Sequence, residues 1–279
     1  MGKSTLVNAV VGKKVAIVSD KPQTTRRAIR GVATTDDTQL VMVDLPGVQR
    51  PRDELTRRMQ RRVELELRDC DAALMVVNGY EGIGPGDRYI AEALRAATTP
   101  AVVAVYKIDK LNRAKVMEIL VETAALEVSD DIFPISAKSG TGVDALIEHL
   151  GGFMTEGPFF FPVEDSSDQP LEILLAELVR EQVLRRTFQE VPHSVEVQIE
   201  DLDQEKDDLS VMRAVVWVET NSQKGILIGA GGAMIKQVGT AARRELEREL
   251  GTRVHVELAV RVRRGWRGDE RLLDRLGIE

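Results

Sequence analysis

Along the first 155 residues the apolar positions alternate between two rhythms. Short runs rich in Val, Ile, Leu and Ala occupy 38–43, 72–77, 101–106 and 132–135. Runs of this length, apolar on both faces, predict strands buried in a sheet. The stretches 4–11, 54–67, 87–97, 115–126 and 143–151 instead space their apolar residues three and four apart, which predicts helices. Strands alternating with helices give βαβ units and a mainly parallel sheet.

The rhythm breaks at Glu156, Gly157, Pro158, Phe159, Phe160, Phe161 and Pro162. A glycine and two prolines there predict a domain boundary. Beyond it, 170–187 reads as a helix with Leu171, Leu174, Leu175, Leu178, Val179 and Val183 on one face. Strand-like alternation follows at 194–199 and 211–220, separated by an acidic turn at 201–208. A piece at 225–228, a glycine loop at 229–232, a helix at 233–250, a strand at 253–260 and a short helix at 269–276 complete the chain. The expected organisation is an α/β domain over 1–157, a linker over 158–169 and a small α+β domain over 170–279.

Composition narrows the class. The chain has 279 residues, 43% apolar and 30% charged, a globular balance with room for two cores. Cys70 is the single cysteine, which excludes a disulfide framework and makes a reducing cytoplasm the default. No 18-residue apolar run predicts a membrane span, and the first residues lack the apolar core of a signal peptide. The net charge of -7 argues against a simple nucleic-acid binder, but it is unevenly spread. Residues 1–158 are nearly neutral, 159–210 carry 4 basic and 14 acidic residues, and 211–279 carry 13 basic and 9 acidic. Such segregation predicts different surfaces for different partners. His149, His193 and His255 are far apart, with no zinc-ligand spacing. The acidic stretch 201–208 lacks the sixth-position glycine and closing glutamate of a calcium loop.

Four short motifs carry the chemistry. Gly2, Lys3, Ser4 and Thr5 open a helix directly, as the second half of a phosphate-binding loop does. The lysine would reach the β- and γ-phosphates, Ser4 would bind Mg²⁺, and helix N-terminal amides would cradle the anion. Asp44, Leu45, Pro46 and Gly47 follow the 38–43 strand; such an Asp holds a metal-bound water, and Gly47 offers an N–H to a γ-phosphate. Lys107, Ile108 and Asp109 follow the 101–106 strand. A carboxylate there accepts from guanine N1–H and the exocyclic amine, which adenine does not offer. Ser136, Ala137 and Lys138 follow the 132–135 strand and place a backbone N–H for guanine O6. Singly each is an ordinary turn. Together, in this order at the carboxyl ends of strands, they mark the edge where open α/β sheets bind ligands.

With these motifs the chain resembles the Era family of GTPases, which end in a KH domain. The resemblance covers the whole length, including Glu156, Gly157 and Pro158 at the boundary and Gly265 and Trp266 near the end. It implies a P-loop GTPase sheet followed by a type II KH domain, with GTP or GDP and Mg²⁺ as ligands. Lys21, Pro22, Gln23, Thr24, Thr25 and Arg26 resemble the family's switch I, whose threonine closes on Mg²⁺ and the γ-phosphate; both Thr24 and Thr25 stand as candidates. The implied partners are single-stranded 16S rRNA near its 3′ end and the 30S subunit, whose assembly the family assists. A monomer, cytoplasmic and peripherally associated with the inner face of the membrane, is also implied.

Three departures matter. The chain opens inside the P-loop, so the family's first strand and the start of that loop are expected to be lacking. Tyr106 stands where the guanine motif has an asparagine that ties the P-loop to it. Leu45 stands where the family has threonine. Val48 occupies the place of the water-orienting glutamine of Ras-like GTPases, so no catalytic base is assigned and slow intrinsic turnover is expected. The truncated loop and Tyr106 motivate an alternative: an RNA-binding KH protein whose G domain does not use nucleotide.

Residues 228–236 fit a KH signature, with the G-x-x-G loop at Gly229, Ala230, Gly231 and Gly232. Glycines admit a sugar–phosphate backbone, and the following helix start presents N–H groups to phosphates. Lys224, Lys236, Arg243 and Arg244 are candidate phosphate contacts. Trp266, among Arg261, Arg263, Arg264 and Arg267, either stacks on a base or packs under the terminal helix. Arg50, Arg52, Arg57, Arg58, Arg61, Arg62 and Arg68 line the helix after Gly47, interleaved with glutamates as on a solvated face.

Overall fold

The computed structural model describes residues 2–48, 50–206 and 208–278. The chain divides into two compact units. The first comprises Met1–Ala16, Ala28–Arg50 and Gln60–Asp168; the second comprises Ile17–Arg27, Pro51–Met59 and Gln169–Glu279.

In chain order the elements up to the boundary are α1 (Lys3–Val11), β1 (Ile29–Thr34), β2 (Gln39–Asp44), α2 (Glu54–Asp69), β3 (Ala73–Asn78), α3 (Pro85–Ala96), β4 (Ala101–Tyr106), α4 (Arg113–Ala124), β5 (Ile132–Ile135) and α5 (Val143–Gly151). Strands β3, β4 and β5 form a parallel sheet with β4 central. Val102, Ala104 and Tyr106 of β4 pack with Leu6 and Val10 of α1 and Val143, Leu146 and Leu150 of α5. Val103 and Val105 point the other way, toward Ala91 and Leu94 of α3 and Ile119 of α4. This is the period-two alternation of a strand covered on both faces.

Strand β1, which apolar patterning passes over because Arg30 and Gly31 interrupt it, pairs antiparallel with β2. Among the described residues β2 and β3 are not paired, so the first unit's sheet is in two pieces.

The expected linker at 158–169 lies in the first unit through Asp168. The Gln39 side chain accepts from Phe160 and Phe161 N–H, Val32 N–H donates to Ser166 O at 2.9 Å, and Ser167 bridges Gly31. Residues 17–27 and 51–59 are part of the second unit. Ile17 enters that unit's core, and Leu55 and Met59 pack around Trp266 with Leu272, Leu273 and Leu276.

The second unit continues with α6 (Leu171–Arg186), α7 (Val191–Ser194), β6 (Glu196–Lys206), β7 (Leu209–Val218), α8 (Asn221–Ile228), α9 (Ala233–Leu250), β8 (Arg253–Val262) and α10 (Glu270–Arg275). β7 is central, antiparallel to β6 and parallel to β8. A parallel neighbour requires a crossover, and the α8–loop–α9 connection supplies it. Leu178, Val179 and Val183 of α6 and Val238, Ala242 and Leu246 of α9 cover Met212, Ala214 and Val216 of β7.

The acidic stretch 201–208 is a strand rather than a turn for most of its length, since β6 runs to Lys206. Arginines on β7 and β8 offset the charge of β6 and the turn after it. Arg213 sits 2.5 Å from Asp201, Arg261 lies 2.6 Å from Glu200, and Arg253 lies 2.6 Å from Asp208. Asp207, at the expected tip, lies outside the described residues. Among the described residues no helix is long and apolar enough to cross a membrane.

Candidate nucleotide site and RNA interface

The phosphate end of the site is built on α1. Gly2 caps the helix at φ 138°, so Lys3, Ser4 and Thr5 form its first turn. The N–H groups of a first turn have no intrahelical acceptor and carry the positive end of the helix dipole. Ser4 Oγ donates to Asp44 Oδ2 at 2.6 Å, joining residues 40 apart in sequence. Asp44 ends β2 and is buried, followed by half-buried Leu45, buried Pro46, exposed Gly47 and half-buried Val48. A hydroxyl and a carboxylate oxygen this close are hard donors of the kind Mg²⁺ takes, so the residues present fit the ion.

The base end is built on β4 and β5. Lys107 adopts φ 65°, in the left-handed region that costs a non-glycine residue energy and clusters at functional sites. Its Nζ lies 5.0 Å from the centre of the Tyr106 ring and 3.8 Å from a Glu81 oxygen. Ile108 and Asp109 begin a 3₁₀ turn that presents the Asp109 carboxylate to solvent. Ser136 Oγ donates to Asp109 Oδ1 at 2.7 Å, and this bond holds the carboxyl below its ordinary range. Ser136 N–H donates to Thr141 O at 2.9 Å. The first unit thus brings the motif at 2–5 to Asp44, and the motif at 107–109 to Ser136.

The switch I candidates belong to the second unit. Gln23 is at φ 59°, Thr24 Oγ1 donates to Lys21 O at 2.7 Å, and Thr25 is buried. Arg26 Nη1 pairs with Glu196 Oε2 at 2.8 Å, Arg27 with Glu177 and with Glu196 Oε1 at 3.3 Å, and Arg180 with Glu177 at 2.6 Å and with Thr24 O. All five charged side chains are buried. Burial alone would raise the Glu196 carboxyl, but Arg27, Arg180 and Arg26 hold it at about 2. Burial lowers Arg26 to about 10 against the opposing pull of Glu196.

The RNA candidates lie on α8, the glycine loop and α9. Gly229, Gly231 and Gly232 all have positive φ, at 71°, 57° and 82°. A Cβ on Gly229 would stand 2.9 Å from Met234 N, so only glycine lets the loop fold onto the start of α9. Ala230 is exposed between them. Lys236, Arg243 and Arg244 are exposed on α9, with Arg243 3.8 Å from Glu247, and half-buried Lys224 lies on α8. A cleft of about 340 Å³ runs between α9 and β8, lined by Ile235, Gly239, Arg243, His255 and Leu258. Arg253, Arg261, Arg263 and Arg267, basic in sequence, are all paired with carboxylates. Trp266 is fully buried and donates to Ser194 O at 2.9 Å, so it packs rather than stacks on a base.

Sequence reasoning passed over three supports. Asn8 accepts from Val15 and Ala16 N–H and donates to Ala16 O, fixing the loop that leads into the switch segment. Gly79 N–H, beside Asn78 at the end of β3, donates to Tyr106 O at 3.0 Å; a polar residue and a glycine after a buried strand was the available signal. Glu177 and Glu196 meet Arg27 and Arg26, and Arg180 meets Thr24 O, across 150 residues or more, so beyond the i,i+3 spacing of Glu177 and Arg180 nothing local marks the cluster.

Residues 1–107 match the family model described as 50S ribosome-binding GTPase, and residues 190–267 match the KH domain. GTPase Era of Mycobacterium tuberculosis (strain ATCC 25618 / H37Rv) is 45% identical, over 99% of this chain and 94% of its own length. GTPase Era of Mycobacterium sp. (strain KMS) is 44% identical with the same coverage. Among solved structures, Era in complex with MgGDPNP and nucleotides 1506–1542 of 16S ribosomal RNA superposes with a TM-score of 0.94 at 33% identity, over 99% of this chain and 94% of that one. A variant of Aquifex aeolicus Era bound to GDP·AlF4⁻ gives the same TM-score and identity, over 99% and 95%.

Proposed function

The chain belongs to the Era family of GTPases, and on that premise we propose that its first unit cycles GTP with Mg²⁺ while its second grips the 3′ end of 16S rRNA during 30S subunit assembly. The observation that carries the nucleotide half is the 2.6 Å bond between Ser4 and Asp44 at the N-terminus of α1. Ser4 and Asp44 would hold Mg²⁺, which offsets phosphate charge when bound. Lys3 and the first-turn amides bind the phosphates, Asp109 selects guanine, and a switch threonine, Thr24 or Thr25, reports the γ-phosphate. Val48 offers no group to orient water, so intrinsic hydrolysis is slow.

The RNA half rests on the positive-φ glycine loop and on Lys224, Lys236, Arg243 and Arg244. KH domains clamp about four nucleotides in this way. A cytoplasmic monomer, peripherally associated with the membrane, belongs to the same reading on the family resemblance alone. The test is twofold: titration with labelled GDP in Mg²⁺, and filter binding of a single-stranded oligonucleotide from the 3′ end of 16S rRNA. Guanine-specific binding and salt-sensitive RNA binding are expected. RNA binding without nucleotide binding would favour a KH protein with an inactive G domain.

A further inference from the structure

Tyr106 sits where its family resemblance places an asparagine, and its surroundings show what it does there. The ring is so close to Gly2 that a Cβ on that glycine would lie 2.3 Å from ring Cε2 and 2.6 Å from Cζ. It therefore fills the space where a side chain at position 2 would stand. The rest of the ring is buried with Leu6 and Val10 of α1 and Ile135 and Val143 beyond β4. Its own backbone carbonyl accepts from Gly79 N–H, and the next residue is Lys107 of the guanine loop. One side chain thus touches the end of the phosphate loop and begins the base loop.

The attachment is not polar. Tyr106 Oη is buried without a hydrogen-bond partner among the described residues. The same is true of the side-chain amide nitrogen of Asn78, which lies in register with Tyr106 on β3. An asparagine at 106 would be too short to reach the Gly2 backbone by packing, and would bring another buried amide to an edge that already holds one.

We propose that Tyr106 is a positioning residue for the phosphates of the bound nucleotide: its ring wedges Gly2 and the first turn of α1 into place by packing, where a hydrogen bond would otherwise do so. The inference rests on the GTP site proposed above. It predicts an effect on the phosphate side of the site and none on base choice.

The experiment measures GDP and IDP affinity of the full chain by titration with labelled nucleotide. IDP lacks the 2-amino group that Asp109 reads, so the GDP:IDP ratio reports the base loop alone. Tyr106→Ala is expected to weaken both nucleotides by about tenfold or more with the ratio unchanged. Tyr106→Phe is expected to recover most of that loss, and Tyr106→Asn none of it. A ratio falling toward one, a Phe variant as weak as Ala, or an Asn variant tighter than wild type would each overturn the inference. Should Tyr106→Ala fold poorly by circular dichroism, Tyr106→Leu is compared in the wild-type and Gly2→Ala backgrounds. The loss should be several-fold smaller when Gly2 is already altered; losses that simply multiply would show that the ring does not act through Gly2. Absence of GDP binding by the wild-type chain overturns the GTP-site reading and this inference with it. GDP binding indifferent to Tyr106→Ala overturns the inference alone.

Discussion

Arg26 and Glu196 form an ion pair at 2.8 Å with each side chain 1% exposed, although 170 residues separate them. Glu196 also faces Arg27 and Arg180. Removing one partner from a buried network leaves a charge in the interior without compensation. Glu196→Gln should therefore destabilise the second unit by about 3–5 kcal/mol. Urea unfolding followed by the fluorescence of Trp217 and Trp266, both in the second unit, measures it. A loss under about 1 kcal/mol would mean that water reaches the cluster in solution.

Acid should act through the same carboxylate. Its folded value, about 2, lies below the ordinary 4.5 because three arginines favour the charged form. The unfolded chain binds the proton more readily, so this stabilisation is complete above pH 4.5 and is lost as the pH falls toward 2. The wild-type unfolding midpoint should drop through that window more steeply than that of Glu196→Gln. Parallel pH profiles for the two proteins would rule this carboxylate out as the source.

Ser4→Ala removes the hydroxyl that donates to Asp44 and leaves the first turn of α1 otherwise intact. GTP binding in Mg²⁺ should weaken by about tenfold or more, and binding in EDTA should change little. The readout is the difference between the two conditions. Equal weakening in both would place Ser4 in helix structure rather than at the metal.

Short apolar runs made β2 to β5 legible, most plainly β4, which is buried on both faces and leaves a continuous Val and Ala run. β1 and α8 were not, since Arg30 and Gly31 interrupt one and Gly225 weakens the other. Capping by Thr220 and Gln223 holds α8 despite its glycine. The four nucleotide motifs were legible because each is a local sequence at the end of a strand. The place of 17–27 was not. It depends on Arg26 and Arg27 meeting Glu196 and Glu177, and on Ile17 meeting a core whose other members begin at Leu175. Likewise the acidic stretch read as a turn because its arginine partners lie on β7 and β8.

Asp109→Asn should move base preference from guanine to xanthine. The amide donates to a 2-oxo group where the carboxylate accepted from a 2-amino group. Asn retains an oxygen for the Ser136 hydroxyl, which now donates to Asp109 Oδ1 at 2.7 Å, so the loop keeps its shape. Competition between GDP and XDP reads the change. Weaker GDP binding with no gain for XDP would remove Asp109 from the base site.

Gly231→Asp combined with Gly232→Asp tests the RNA loop without unfolding it. At both positions a Cβ would meet nothing within 4 Å, so the side chains project into open space. The left-handed backbone at φ 57° and 82° adds a cost of about 1 kcal/mol at each position. The core beneath, built on Val238, Ala242 and Leu246 of α9, is untouched. Two carboxylates would then face the phosphates that the loop must approach, and the close backbone contact would be blocked. Affinity for the single-stranded 16S rRNA oligonucleotide should fall by about tenfold or more, and the deficit should shrink as salt screens the repulsion. GDP binding should be unaffected, which separates a local effect from general misfolding. Wild-type RNA affinity in this variant would place the RNA elsewhere on the second unit.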